Sequence, residues 1–281
     1  ELLALADELG LGARRAAIDA LARRSLRLLP GDPEAAPRAG GSRLGGAPDL
    51  PHDAPWPHWR ERPLEHRLQL DLAEVAAALG DEPSPLPAHG TLWCFTPLQP
   101  PSGLRAQHAG ACAVLLGEAP ADAEPGYGDA VALAPELVLP RAWSAPVEAL
   151  ALEGEEQLAW QALREHLADV QGVALGDAGR DDDAPQSLHR LLGYPDERHG
   201  DMPLACELLD AGAEPGDEPP LAHPRAAELE PRAGRWQLLL QLSHDERVGW
   251  SWGDRRARLY AWADERALAA GELAGVRAFV Q

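Results

Sequence analysis

Six side chains of the types that bind metal ions fall within 18 residues of one another: His189, Asp196, Glu197, His199, Asp201 and Cys206. A metal site needs three or four such side chains to converge, at a spacing that a helix or a strand can supply. Glycines and prolines are interspersed through this segment, and they indicate turns instead. We therefore predict no metal or other cofactor, and we expect Asp201 to cap a turn.

The common catalytic motifs are missing from the sequence. No serine lies in a GxSxG motif, and a phosphate-binding loop cannot form because the chain contains no lysine. Carboxylate pairs such as Asp245 with Asp254 are expected by chance in a chain with 45 acidic residues. A glycosidase therefore remains only a background alternative, and a non-enzyme is favoured.

Three short motifs occur twice in the same order. RLGGAP at Arg43 matches RLLGYP at Arg190, RLQLDL at 67 matches LLQLSH at 239, and GTLWCF at 90 matches ARLYAW at 257. This order predicts an internal duplication, approximately 43–95 and 190–262. Each copy would contain a turn and two strands, and the open faces of the copies would bury each other.

A glutamine occupies the equivalent strand position in both copies, Gln69 and Gln241. Strand alternation places it opposite a face predicted to be core, which in the second copy is Trp236, Leu238, Leu240 and Leu242. A mid-strand glutamine either bonds to the backbone of a neighbouring loop or contacts a ligand. The backbone bridge is favoured because most side-chain hydrogen bonds go to backbone or water.

The ligand alternative requires a cleft between the two copies. Its candidate binding residues are the two glutamines, neighbouring acids and two residues of the turn-rich segment: Gln69, Asp71, Gln241, Asp254, Tyr194 and Asp201. Ser243 stands where the first copy has Asp71, so a role for that acid in the second copy would be lost.

Composition excludes some partners and favours others. The net charge of −20 repels phosphate backbones and anionic lipids, so neither nucleic acid nor membrane binding is expected. Acidic segments at 177–183 and 207–230 are interpreted as solvated loops or, alternatively, as a docking surface for a basic protein. The three cysteines form no CxxC pair, which favours reduced thiols in a cytoplasm. The first residue, Glu1, leaves open whether a signal peptide preceded it.

Hydrophobic periodicity predicts a single β-rich α+β domain over 1–281, with antiparallel or mixed sheets and peripheral helices. An N-terminal helical segment covers 1–24, and the clearest helix covers 153–170, with a buried stripe of Leu158, Leu163, Leu167 and Val170. Further helices are predicted at 72–79, capped by Asp71, and at 264–273. Strands are predicted at 25–29, 67–72, 89–95, 111–116, 130–139, 276–280 and within 235–262, and irregular loops at 30–63, 171–186 and 211–231.

The chain resembles the YwqG-like proteins, also called the DUF1963 family. The resemblance rests on SRLGGAPDLP, the following Trp56-Pro57, LQLDL, LPAHGTLWCF, HRLLGYPDERHGDM with Cys206, WQLLLQL, WGD and RLYAW. It implies a duplicated, roll-type β-rich fold, and some relatives are associated with bacterial toxin and immunity gene clusters. The chain departs from the family pattern at four positions: His66 for Phe, His199 for Gln, Ser243 for Asp and Arg256 for Gly.

These observations together predict a non-enzymatic cytoplasmic protein-binding module. An immunity-type protein that neutralises a toxin or another basic partner is the specific form that the family association implies. The alternative is a small-ligand-binding protein or a hydrolase, with its cleft between the two copies. The sequence predicts no oligomeric state.

Overall fold

A curled antiparallel sheet of ten strands forms the centre of the molecule, and α-helices cover its surfaces. The computed structural model describes residues 2–32, 34, 38–81, 84–121, 124–173, 189–196, 201–216, 219–253 and 256–281. The described part of the chain contains eight α-helices and twelve strands, two of which form a separate small hairpin. The prediction of a β-rich α+β fold is therefore confirmed. No helix among the described residues is long and apolar enough to cross a membrane.

The strands are β1 (Arg23–Pro30), β2 (Arg43–Leu44), β3 (His58–Trp59), β4 (Arg62–Pro63), β5 (Glu65–Asp71), β6 (Thr91–Thr96), β7 (Ala113–Gly117), β8 (Asp129–Val138), β9 (Arg190–Leu191), β10 (Trp236–Ser243), β11 (Arg258–Asp264) and β12 (Arg277–Val280). The helices are α1 (Leu2–Glu8), α2 (Arg15–Leu21), α3 (Leu72–Leu79), α4 (Ala145–Glu148), α5 (Glu155–Val170), α6 (Met202–Asp210), α7 (Ala226–Ala233) and α8 (Glu265–Ala270). The predicted segment 1–24 contains α1 and α2, and its last two residues begin β1.

The order of strands in the sheet is β12-β11-β10-β9-β1-β8-β2-β5-β6-β7. The two end strands approach each other, because Gly103, in the connection from β6 to β7, donates its N–H to the carbonyl of Val280 at 3.1 Å. The main hydrophobic core contains residues from both ends of the sheet, including Val114 of β7 and Val280 of β12. The sheet therefore curls around this core. The three cysteines are buried and unbridged.

The sheet order reads alike from its two ends. On one side a two-residue strand, β9, pairs with β10, followed by β11 and β12. On the other side a two-residue strand, β2, pairs with β5, followed by β6 and β7. At the centre, every residue of β1 pairs with a residue of β8, from Arg23 opposite Val138 to Pro30 opposite Val131. The matched motifs of the sequence thus occupy corresponding places in the two halves.

A β-bulge interrupts the central strand of each half at the corresponding position. The pairing register shifts at Leu239 in β10 and at Arg67 in β5. Because a bulge adds one residue to one strand, it reverses the alternation of side chains beyond it. The single core face predicted for β10 is consequently wrong. Trp236 and Leu238 pack with α6, whereas Leu240 and Leu242 join the core inside the curl.

Helix α5 buries a different face from the one predicted. Leu163 is fully buried, with Trp160, against the two N-terminal helices, but Leu158 is 71% exposed and Val170 is 64% exposed. The predicted stripe is therefore wrong at those two positions. The indole of Trp160 donates to the carbonyl of Pro140 at 3.0 Å, which fixes the rotation of the helix against β8.

The region predicted as an irregular loop at 211–231 contains part of a helix. Helix α7 begins at Ala226 and includes Pro231. Its residues Ala226, Leu229 and Ala233 pack on Leu204 and Leu208 of α6. Tertiary burial of this apolar stripe outweighs the local cost of proline. Prolines and acidic residues are frequent in this segment and are typical of a loop, so the sequence pattern did not indicate the helix.

Two leucines of α5 provide a direct test of its orientation. We expect Leu163→Ala to lower the free energy of unfolding by about 2–5 kcal/mol, because it opens a cavity in a packed core. Leu158→Ala removes a solvent-exposed side chain, so we expect a change within about 0.5 kcal/mol. Urea unfolding of both variants measures the difference. Equal losses would contradict the orientation of α5.

Candidate functional site

Gln69 lies at the centre of a fully buried hydrogen-bond network. Its Oε1 accepts from the N–H of Asp49 at 2.9 Å and from the indole of Trp93 at 2.8 Å. Its Nε2 donates to the carbonyl of Gly41 at 3.0 Å and to the carboxylate of Asp49 at 3.1 Å. Arg43 forms an ion pair with that carboxylate. The amide thus joins β5 to the turn that follows β2.

Gln241 occupies the corresponding place in the other half. It is fully buried, and its Oε1 accepts from the N–H of Asp196 at 2.7 Å. The neighbouring Tyr260 hydroxyl donates to the carbonyl of Asp196 at 3.0 Å. Gln241 pairs with Tyr260 in the sheet, as Gln69 pairs with Trp93. Both glutamines therefore hold a turn that ends in an aspartate, and these aspartates lie one residue beyond the motifs matched in the sequence.

The two turns have the same backbone course. Gly45 and Gly46 have φ of 63° and 67°, and Leu192 and Gly193 have φ of 63° and 77°. In each turn the side chain of the arginine that begins the motif donates a hydrogen bond to the backbone carbonyl of the fourth residue after it. Glycine adopts this left-handed region without strain, but a leucine does so only when its surroundings enforce it. Leu192 is held by burial and by its N–H bond to the carbonyl of Leu239 at 3.0 Å.

The other predicted site residues lie apart from one another. Asp71 caps α3, accepting from the N–H of Ala73 at 2.8 Å, as predicted from its position. Asp201 caps α6 and accepts from the N–H of Leu204 at 3.1 Å; burial raises the pKa of its carboxyl. Asp254 lies outside the described residues.

Tyr194 is half-buried beside the second turn. The guanidinium of Arg23 lies 4.7 Å from the centre of its ring. Burial raises the pKa of the Tyr194 hydroxyl, and the charge of Arg23 opposes this effect. Its backbone carbonyl accepts from Arg190 at 2.9 Å. Tyr194 and Gln241 thus share the neighbourhood of the second turn, whereas Gln69 and Asp71 lie two residues apart on β5.

The segment rich in potential metal ligands, for which no metal was predicted, is described in part. His189 is buried; its Nε2 lies 3.0 Å from Asp245 Oδ2, and its Nδ1 accepts from the N–H of Ser243 at 3.2 Å. These contacts hold the ring in place beside the end of β10. Glu197 and His199 lie outside the described residues, and the rest of the described chain contains no group of three or more potential metal ligands.

A group of arginines surrounds Asp196, and no motif in the sequence predicted this group. Arg141 donates to Asp196 at 2.8 Å, and an amino group of Arg258 lies 3.2 Å from the other carboxylate oxygen. Arg190 instead donates to the buried Glu136 of β8 at 2.6 Å. The one available signal was Glu136 itself, a single charge within the apolar run at 130–139.

A small pocket adjoins this group, between β8, α5 and the turn after β9. Its volume is about 30 Å³. The residues that line it are both charged and apolar, and include Glu136, Leu139, Arg164, Leu167, Arg190 and Asp196. Arg164 projects from the inner side of α5 and donates to the carbonyl of Leu139 at 3.1 Å.

The outer side of α5 has the opposite charge. Glu155, Glu165 and Asp169 are exposed there, together with the exposed Leu158. The single arginine of this helix, Arg164, points inward. We call the side formed by Glu155, Leu158, Glu165 and Asp169 the acidic face. By contrast, Glu207, which belongs to the predicted acidic segment at 207–230, is fully buried.

A match to a protein-family model covers residues 42–281, and its description is Domain of unknown function (DUF1963). The chain belongs to the DUF1963 family. The resemblance inferred from the motifs is thereby confirmed over most of the chain, and the DUF1963 region begins directly before the Arg43 turn. No curated protein matches the sequence. In this DUF1963 member both buried glutamines, and the aspartates whose N–H groups they accept, lie inside the matched region.

The Gln69 network predicts a large effect on stability. We expect Gln69→Leu to lower the free energy of unfolding by about 3–5 kcal/mol, because several buried donors and acceptors lose their partner. Gln237→Leu is the matched control, because this glutamine lies half-buried in β10 and bonds only weakly to Glu265, at 3.4 Å. Its loss should cost less than about 1 kcal/mol. Denaturant unfolding tests both; a mild effect of Gln69→Leu would contradict the central place of the amide.

His66 predicts a specific pH dependence. Burial lowers the pKa of its imidazole to about 4, the charge of Arg43 adds to this effect, and hydrogen bonds to the Gly45 and Gly46 carbonyls oppose it. The neutral ring is thus favoured in the folded state. This effect contributes about 3 kcal/mol to the free energy of unfolding. The contribution is present above the ordinary pKa of 6.5 and is lost as the pH falls toward 4.

Phenylalanine, the usual residue of the family at this position, removes that titration. We expect the free energy of unfolding of His66→Phe to fall less than that of the wild type between pH 6.5 and 4. His89→Phe, a change at an exposed histidine, should keep the wild-type slope. Identical slopes for all three proteins would contradict a neutral buried His66.

Proposed function

We propose that the protein is a non-enzymatic binding module that docks a basic protein on the acidic face of α5. The observation that carries the proposal is an exposed leucine enclosed by carboxylates: Leu158 is 71% exposed on a helix side that presents Glu155, Glu165 and Asp169. Single exposed apolar side chains are common on protein surfaces, so it is the carboxylates around Leu158 that distinguish this side of the helix. The association of the family with toxin and immunity gene clusters makes a neutralised toxin the partner class that we propose.

Charge favours a cationic partner. The net charge of −20 attracts a basic protein over long range and accelerates its encounter. On the acidic face the carboxylates would contact the cations of the partner, while Leu158 would enter an apolar depression. Val170, 64% exposed, is a second apolar side chain at the end of the same helix. Such a mixture of one apolar anchor with a charged rim is typical of transient interfaces.

A ligand cleft between the two halves has less support. Gln69 and Gln241, its main candidate residues, are both 0% exposed. The amide oxygen of each accepts a hydrogen bond from the backbone of its own turn. A hydrolase would need a polar group free to contact substrate. The binding role is therefore the one that we propose.

We further propose that the two halves of the sheet are copies of one unit. Two lines of support are the corresponding bulges at Arg67 and Leu239 and the corresponding glutamine-bonded turns. Independent origin would have to reproduce the order of strands as well. For location we propose the cytoplasm, where three buried free thiols stay reduced.

Affinity capture from cells of the source organism tests the docking proposal. The wild type is compared with Leu158→Asp and with a triple variant, Glu155→Gln, Glu165→Gln and Asp169→Asn. A second triple variant, Asp53→Asn, Asp81→Asn and Glu118→Gln, makes the same change in net charge at exposed acids elsewhere. We expect a basic protein to be retained by the wild type and the control, and lost at least tenfold from both α5 variants.

The captured protein is then purified and its affinity measured at low and high salt. A real interface on the acidic face weakens with salt and needs Leu158 at both salt concentrations. Equal losses with the two triple variants would mean general charge attraction and would reject the α5 interface. Failure to retain any basic protein at low salt would reject the proposed function.

A further inference from the structure

The two glutamine networks differ in charge. In the first, Arg43 faces Asp49, and three hydrogen bonds plus this ion pair surround the carboxylate; burial alone would raise the pKa of Asp49, but these partners hold it at about 2. In the second, Asp196 is approached by both Arg141 and Arg258. The first network is balanced and the second has an excess of cations.

The only other acid described in this second neighbourhood does not remove the excess. Glu136 is shared by Arg190, whose Nε lies at 2.6 Å, and Arg27, whose Nε lies at 3.5 Å. It also accepts from the hydroxyl of Ser25 at 2.9 Å. Four arginines thus share two carboxylates before Arg164 is added.

The excess of positive charge extends to Arg164, which lines the pocket. Burial lowers the pKa of its guanidinium to about 10, and the positive charges of Arg141 and Arg190 lower it further, against the opposite effect of Asp196. The group still carries its charge at neutral pH. In the part of the chain that the structure describes, its hydrogen bond is the one from Nε to the Leu139 carbonyl. Its terminal amino groups remain available for an acceptor.

The size of the pocket limits the ligand. A volume of about 30 Å³ holds roughly two water-sized groups. This suits the two oxygens of a carboxylate, which a guanidinium binds in a planar, two-point geometry. Glu136 and Asp196, which also line the pocket, would repel a doubly charged phosphate more strongly than a singly charged carboxylate. The aliphatic walls, Leu139 and Leu167, suit the carbon that bears the carboxylate.

We propose that this pocket is a binding site for the carboxylate group of a small organic acid, with Arg164 as the principal contact and Arg190 beside it. The ligand lies between β8 and the inner side of α5, where its negative charge balances the arginine excess. Glu136 and Asp196 also line the pocket, and the four arginines around them offset their repulsion of the ligand. The pocket and its arginines support this site without reference to the acidic face, which lies on the outer side of α5.

Titration of the purified protein with sodium formate and sodium acetate tests the site. Chloride and phosphate serve as comparison anions at the same ionic strength, which a bulky sulfonate buffer maintains. The readouts are the midpoint of thermal unfolding and the NMR signal of the Arg164 Nε–H, identified by its absence in Arg164→Gln. We expect a saturable shift of both with formate and acetate, and an effect of phosphate at least tenfold weaker.

Two variants separate binding from general charge effects. Arg164→Gln removes the contact, and Ala168→Leu fills the pocket from α5 while the charge of Arg164 remains; each should weaken acetate binding at least tenfold. Arg266→Gln, at an exposed arginine of α8, loses the same charge and should bind as the wild type does. Thermal unfolding without added anion verifies that each variant is folded.

Three results would overturn the proposal. One is a response to formate and acetate that does not saturate. Another is an equal response to chloride and phosphate, which would indicate non-specific ion binding. The third is unchanged acetate affinity in folded Arg164→Gln or in folded Ala168→Leu.

Discussion

One buried glutamine amide in each half ties a two-residue strand, its turn and the central strand into a single unit. Neither β2 nor β9 is long enough to hold its place by backbone pairing alone. The oxygen of Gln69 accepts the N–H of Asp49, and that of Gln241 accepts the N–H of Asp196. An amide can satisfy a backbone donor and other polar groups at once, which no apolar side chain of similar size could do. The position of both aspartates depends on it.

Regular strands and helices with one clear periodicity could be predicted from the sequence. The equivalence of Gln69 and Gln241, the cap at Asp71 and the strand at β8 all followed from local pattern. The faces of β10 did not, because a bulge at Leu239 reverses the alternation and leaves no mark in the residue types. The match between the two turns also ended one residue before the aspartates, so their common role emerged only from the hydrogen bonds.

Helix α5 illustrates a second limit of the sequence pattern. Its leucines and valine recur at helical spacing on more than one side, so the burial of any one of them depends on what the helix packs against. The N-terminal helices and the indole bond of Trp160 select the side that contains Leu163. Leu158 is then left in water beside acids. Arg164, by the same rotation, is directed at β8. Tertiary packing thus creates both candidate surfaces of this helix, and no local property of the segment specifies them.

The two proposed sites lie back to back on α5, and this arrangement has an electrostatic consequence. Glu165 and Arg164 are adjacent in sequence and project about 100° apart around the helix, so charges bound at the two sites would act on each other mainly through the protein, where salt screens less than it does in solvent. A basic partner on the acidic face adds positive potential at Arg164 and therefore favours a carboxylate in the pocket. Linkage makes the effect reciprocal, because a bound carboxylate raises affinity for the basic partner by the same factor. The excess of arginine around Asp196 would then have a physical use: it keeps the inner side of the helix responsive to what binds on the outer side.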